Sequence, residues 1–162
     1  MNAPRGISRE GREAERLFCQ LTGAVLCARA ALGDVVLDGE HLVEIKTASS
    51  NTVNQVRAVK YLTLAVYAPP TGSWLIVPAD EIVRIASTRT RGQHTENPFE
   101  CMTLSVRGLK EFQVPADDLR AATLSAIARS EARPDMREAM ERVRAECRRS
   151  ADDALEQVRA LL

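Results

Sequence analysis

Residues 33–46 read GDVVLDGEHLVEIK and predict a β-hairpin. Two runs rich in β-branched residues flank Asp38-Gly39, a pair that readily adopts positive φ. Side chains alternate along a strand, so Glu44 and Lys46 share one face and the residues between them take the other. Asp34 joins that charged face if the loop has three residues or a strand has a bulge. A two-residue turn would put Asp34 on the opposite face.

Charged side chains are rarely found in a buried, apolar hairpin, so their presence here indicates a chemical role. Carboxylates of Asp34 and Glu44 a few ångströms apart would repel each other unless a cation lay between them. Mg²⁺ prefers carboxylate oxygens and keeps several waters, so such a pair suits half of its coordination shell. Lys46 would point at the same place, where it could hold a phosphate oxygen or orient a water. The alternative is a solvated hairpin face with an ordinary Glu-Lys pair.

Gly33-Asp34, the hydrophobic hairpin and Glu44-Ile45-Lys46 together resemble the PD-(D/E)xK nucleases, which include Holliday-junction resolvases and many restriction endonucleases. The resemblance runs from about Ser8 to Pro78, with Gly33 where many members have proline. It implies that Asp34 and Glu44 are metal ligands, that the Ile45 carbonyl is a further ligand and that Lys46 is the catalytic lysine.

A first helix is predicted from Ser8 to Gly23, since its apolar residues recur at helical spacing. In resolvase-like members of the family this helix offers a glutamate to the metal, often in a Gly-x-x-x-Glu-Arg context. Residues 11–16 match that pattern, so the resemblance implies Glu15 as a further ligand. Glu13 cannot share its face and is the weaker candidate. A solvated helix face without a metal role remains the alternative.

A second helix is predicted over about 52–67 from the spacing of its valines and leucines. The family often has a glutamine or a basic residue early in this helix, which steadies the attacking water or the phosphate. The resemblance implies Gln55 for that role, and a plain surface glutamine is the alternative. Residues 68–72 break the helix, and Ser73–Pro78 is predicted as a buried strand reached by a right-handed parallel connection.

The remaining chain predicts a short helix over 79–87, a polar, mobile loop over 88–98, a strand over 99–106 and a helix from about Pro115 to Glu131. The polar loop carries side chains that suit phosphates and base edges, although a plain surface loop is the alternative. The predicted nucleic-acid contacts are Arg12, Arg57, Lys60, Arg89, Arg91 and Gln93.

Residues 135–162 predict one helix with a narrow apolar stripe of the heptad type. Such a stripe suits a seam against another helix, from a second copy of the chain or from a partner. A helix lying back on its own domain is the alternative. We therefore expect a nuclease-like core over 1–114 and a helical extension over 115–162.

Composition limits the possible functions. The chain has 162 residues, 45% of them hydrophobic, and equal numbers of basic and acidic residues, so it can bury one core and has no overall basic field. Its cysteines lack metal-ligand spacing and predict reduced core thiols. Because no apolar leader or membrane-spanning run is present, the sequence predicts a soluble, cytoplasmic protein.

Together these features predict an α/β restriction-endonuclease-like core, a mixed sheet of four to five strands flanked by helices, with a helical C-terminal extension. The implied function is a Mg²⁺-dependent DNA endonuclease, with Mn²⁺ as a substitute, acting as a homodimer without a membrane or a small-molecule cofactor. The alternative is a catalytically silent nuclease-fold module that binds DNA or assembles through its C-terminal helices.

Overall fold

The computed structural model describes residues 9–28, 33–58, 63–135 and 138. It is an α/β protein with a mixed sheet flanked by helices. The helices are α1 (Arg9–Thr22), α2 (Ala79–Ser87) and α3 (Leu119–Glu131), with 3₁₀ turns at Val106–Phe112 and Ala116–Asp118. The strands are β1 (Val25–Leu26), β2 (Val35–Leu37), β3 (His41–Thr47), β4 (Thr52–Val56), β5 (Thr63–Ala68), β6 (Ser73–Pro78), β7 (Met102–Ser105) and β8 (Gln113–Val114).

The main sheet has six strands in the order β1-β2-β3-β5-β6-β8, which is more than the four to five expected. Strands β3 and β5 are parallel, and every other neighbouring pair is antiparallel. Strands β4 and β7 form a separate two-stranded sheet, which we call the ribbon. The parallel pair lies in the middle of the sheet, where both of its faces are covered.

Each face of the sheet has its own hydrophobic cluster because side chains alternate along every strand. One cluster packs α1 and α3 on the face that carries Val43 and Ile45, with Phe18 and Trp74 in edge-to-face contact. The other packs α2 and the ribbon on the face that carries Leu64 and Val66. Glu44 pairs with Leu64 and Lys46 with Val66, so both charged residues lie on the ribbon side.

The predicted helix over 52–67 is wrong. Its described residues form strands β4 and β5, separated by residues 57–62. Val53 and Val56 are three residues apart and both buried, which imitates helical spacing. The cause is a β-bulge, since Val53 pairs with Leu104 and Val56 with Met102, so that one extra residue lies on β4.

Two other predictions need correction. The strand Ser73–Pro78 is present and buried, but it pairs with β5 as an antiparallel hairpin closed at 69–72, without a crossover helix. The strand expected over 99–106 is only Met102–Ser105, because the chain turns into a 3₁₀ helix at Val106. The helices predicted from Ser8 to Gly23 and over 79–87 are confirmed as α1 and α2. The helix predicted from about Pro115 to Glu131 is present as α3, which begins at Leu119 after a 3₁₀ turn. The predicted core position of Trp74 is also confirmed, since it is 1% exposed.

Helix α3 begins the predicted C-terminal extension and packs on the sheet. Leu119, Ala126 and Ile127 belong to the same cluster as the strand residues Val43 and Ile45. The sequence prediction for 136–162 lies outside the described residues except at 138, and the domain division stays a prediction. Among the described residues, no helix has the length and apolar character needed to cross a membrane.

Candidate functional site

The loop of the β2–β3 hairpin has three residues. Leu37 pairs with His41 and Val35 with Val43, so Asp38-Gly39-Glu40 forms the connection, with positive φ at Asp38 and Gly39. Continuing that register sets Asp34 opposite Glu44, on the same face of the sheet. A loop of three residues is therefore the alternative that places the two carboxylates on one face of the sheet.

Asp34 lies immediately before β2, beside the part of β3 that extends beyond the β2–β3 pairs. Its Oδ2 accepts a hydrogen bond from the backbone N–H of Ile45 at 2.7 Å, so the carboxylate satisfies a donor that has no strand partner there. The Asp34 and Glu44 side chains are close enough to share a hydrogen bond when one is protonated. One oxygen of Asp34 is therefore held by the backbone while the acid group faces Glu44.

Glu44 and Lys46 form an ion pair beside Asp34. The Lys46 Nζ lies 2.9 Å from Glu44 Oε1, and their side chains are 25% and 11% exposed. A lysine two residues along a strand reaches the same face, which is why Glu-x-Lys brings the two charges together. The ammonium is thus positioned at the edge of the acid pair.

Electrostatic interactions couple Asp34 and Glu44 to a third acid, Glu15 of α1. Burial, followed by the charge of Glu44 and to a smaller degree that of Glu15, raises the pKa of Asp34 to about 6 from 3.8, against the Ile45 hydrogen bond that lowers it. Burial and then Glu44 also raise the pKa of Glu15, while Arg12 and Arg16 lower it. Helix α1 therefore brings Glu15 within the electric field of the hairpin acids.

The donor set suits a hard cation. Buried carboxylates that repel one another gain from a divalent ion between them, and oxygen is the ligand that Mg²⁺ prefers. Within the described ranges, no three His, Cys, Asp or Glu side chains converge closely enough to hold an ion together. The two side chains that could hold such an ion are therefore Asp34 and Glu44. The metal-binding roles of Glu15 and of the Ile45 carbonyl stay predictions.

No protein-family model and no curated protein matches this chain. The chemistry of the site follows from its own residues. They are two adjoining carboxyls, a lysine that forms an ion pair with one of them, and a third acid on the neighbouring helix.

The predicted nucleic-acid contacts lie on several elements of the fold. Arg12 is exposed on α1, Arg57 is exposed just after β4, and Arg89 and Arg91 are exposed on the loop after α2. Lys60 lies outside the described residues. An open concavity of about 450 Å³ lies along α1, lined by Arg9, Arg12, Glu13 and Arg16. Arg16 was not among the predicted contacts, although it lies one helical turn from Arg12.

Gln55 and Gln93 lie in places that the sequence did not predict. Gln55 is in the bulge of β4 with φ +57°, not on a helix. Its backbone N–H donates to the Gln93 Oε1 at 2.7 Å. Gln93 was expected to contact a base, yet its carbonyl oxygen is used inside the protein. The loop that carries Gln93 is internally hydrogen-bonded, with Gly92 N–H bound to Thr95 and Gln93 N–H to Cys101, and is not the unpacked segment expected.

Proposed function

We propose that this protein is a Mg²⁺-dependent DNA endonuclease with a restriction-endonuclease-like core. The observation that supports the proposal best is the acid pair Asp34 and Glu44 on one face of the hairpin, with Lys46 bound to it. An ordinary buried strand would exclude three charges in so short a stretch. This combination suits metal-dependent phosphodiester hydrolysis, in which a bound cation and a nearby ammonium stabilise a polyanionic transition state.

In this proposal each residue has a separate part. Asp34 and Glu44 would hold Mg²⁺, which supplies Lewis-acid activation of the phosphodiester and of an attacking water. The backbone N–H of Ile45 fixes the orientation of the Asp34 carboxylate. Lys46 neutralises the charge that develops on the phosphate oxygens, and its contact with Glu44 keeps it on the acid face. Glu15 lies in the field of both acids and completes the negative patch.

Plasmid nicking tests this function directly. We expect supercoiled DNA to be nicked with Mg²⁺ or Mn²⁺ and to stay intact with EDTA. Lys46→Ala should lower the nicking rate by about 100-fold with little change in DNA binding, since the lysine acts on charge formed in the transition state. Lys110→Ala is the matched control, because Lys110 is an exposed lysine outside the acid face. Equal nicking by the Lys46→Ala and Lys110→Ala proteins would contradict the proposal.

A second candidate is a nucleic-acid-binding module without cleavage. The exposed arginines at 57, 89 and 91, which have no acid partner among the described residues, favour nucleic-acid binding whether or not cleavage follows. In that case the Lys46–Glu44 pair would only neutralise the strand face. DNA binding without Mg²⁺-dependent nicking would support this function over the nuclease. For either function we propose a homodimer formed through residues 135–162.

A further inference from the structure

The bulge in β4 holds Gln55 in a strained conformation. Its φ of +57° lies in the left-handed region, which glycine adopts freely and other residues adopt at a cost. Among the described residues, Asp38 and His94 are the other two non-glycine residues with a positive φ. The fold alone would favour glycine at 55, so the glutamine side chain calls for a reason beyond folding.

A second glutamine, distant in sequence, supports this conformation. Gln93 Oε1 accepts the hydrogen bond of the Gln55 N–H, a donor that the bulge removes from the β4–β7 ladder. Gln93 is itself fixed, because its own N–H donates to the Cys101 carbonyl at 2.7 Å. The Gln55 backbone is therefore held rigidly, while its exposed side chain makes no hydrogen bond within the described residues.

The surroundings of the bulge carry arginines without an ion-pair partner among the described residues, together with Glu96 and Glu100 on the loop that holds Gln93. Arg57, Arg91 and Arg107, next to the ribbon or its loop, form no ion pair with any acid that the structure describes, whereas five arginines elsewhere do. Residues 45–79, which include β4, contain no Asp or Glu. A polar surface with unpaired arginines inside a chain of zero net charge suits a polyanionic partner.

The ribbon also lies on the same side of the sheet as the candidate site. Val53, Val56, Met102 and Leu104 pack in the cluster that covers the face of Glu44 and Lys46. A duplex lying against this side can meet both features. A two-stranded ribbon has the dimensions that the major groove of DNA admits.

We propose that Gln55 is a base-contacting residue for duplex DNA and that Gln93 is the residue that positions it. The proposal rests on the proposed function and adds how its substrate is recognised. A side-chain amide offers one donor and one acceptor, which match the N6 and N7 atoms of adenine in the major groove. Arg57 and Arg91 suit the flanking phosphates, leaving the neutral amide for a base edge.

The first test separates binding from folding. Gln55→Gly removes the side chain and relieves the left-handed strain, so we expect an equal or higher Tm together with about 10-fold weaker binding to a fluorescent duplex of mixed sequence in EDTA. Gln113→Ala, which removes an exposed glutamine on β8, is the matched control and should bind as the wild type does. Wild-type affinity in the Gln55→Gly protein would overturn the proposal.

The second test concerns Gln93. Gln93→Met removes the acceptor at similar size and should also weaken binding by about 10-fold. If Gln93 acts only through Gln55, the change should cost no further affinity in a Gln55→Gly background, because the two residues form one unit. Additive losses in the double variant would overturn the positioning role.

A modified duplex identifies the atom contacted. Replacing adenine by 7-deazaadenine removes the N7 acceptor and should weaken binding by the wild type but not by Gln55→Gly. Equal wild-type affinity for both duplexes would overturn the base contact. Binding by the wild type without Mg²⁺-dependent nicking would contradict the nuclease and leave this proposal standing, whereas absence of any duplex binding would contradict both.

Discussion

At the scale of single residues, Asp34 combines a structural role with a chemical one. Its carboxylate satisfies the Ile45 N–H at the end of β2 and also faces Glu44. A neutral asparagine could accept the same backbone hydrogen bond without the repulsion. The negative charge at 34 is therefore not needed for folding, and we infer that it is kept for binding a cation.

Removal of the negative charge at Asp34 should change the pH dependence of stability. The pKa of Asp34 is about 6 in the folded protein and 3.8 as its ordinary value, so the folded state binds more protons between these pH values. Stability of the wild type without metal should therefore fall as pH rises from about 4 to 6. Asp34→Asn lacks this cost, and we expect its Tm above pH 7 to exceed that of the wild type by about 2–4 °C.

Thermal unfolding in EDTA at several pH values measures this difference. The advantage of Asp34→Asn should disappear below about pH 4, where the carboxyl is protonated in both states. Asp117→Asn is the control, since Asp117 is exposed and lies in the 3₁₀ turn before α3. An Asp34→Asn protein with a lower Tm at pH 7.5 would show that the charge stabilises the fold.

At the scale of elements, the loop between α2 and β7 depends on one glycine. A Cβ on Gly92 would meet the carbonyl oxygens of Asn97 and Cys101, which are backbone atoms that cannot move away cheaply. Gly92→Ala should therefore destabilise the protein by about 1–3 kcal/mol, as overpacking does. It should also weaken DNA binding, because Gln93 is the next residue.

Urea unfolding compares Gly92→Ala with Gly108→Ala. A Cβ at Gly108 would come no closer than 4.0 Å to its nearest neighbour, the Ser105 side chain, so that variant should keep wild-type stability. Equal unfolding midpoints for the two variants would mean that the loop can adjust around residue 92.

At the scale of the whole molecule, we expect residues 135–162 to join two chains. The apolar stripe of this segment uses residues such as Met140, Val143 and Cys147, spaced by threes and fours. Val143→Glu should lower the molar mass measured by light scattering while leaving the folded core intact. Ala145→Glu adds the same charge, about 200° away around the predicted helix, and should not change the mass.

Two results would contradict the dimer. A wild-type chain that is monomeric at tens of micromolar would contradict dimerisation through residues 135–162. Unfolding of the whole protein in Val143→Glu would contradict it as well, because the segment would then be part of the folded core. Helix α3, at the start of the predicted extension, already packs into the core. A seam must therefore lie beyond it in the chain.

The sequence by itself determined the features that depend on neighbouring residues. Alternation along residues 41–47 separated Glu44 and Lys46 from Ile45. The sequence offered the three-residue loop Asp38-Gly39-Glu40 as one of its alternatives, and the strand pairing selects the register that sets Asp34 opposite Glu44. Helical periodicity and Gly23 likewise predicted α1, which ends at Thr22 with φ +78° at that glycine. These patterns are local, so one stretch of chain contains the whole signal.

Only the tertiary structure decided the features that join distant segments. Val53 and Val56 have helical spacing, and the pairing of β4 with β7, about fifty residues later, turns that spacing into a bulge. The same pairing region brings Gln93 to the N–H of Gln55, so that the Gln93 Oε1 accepts a hydrogen bond inside the protein. Cross-strand partners and packing contacts overrule local propensity here, because a strand becomes stable only when another strand satisfies its backbone.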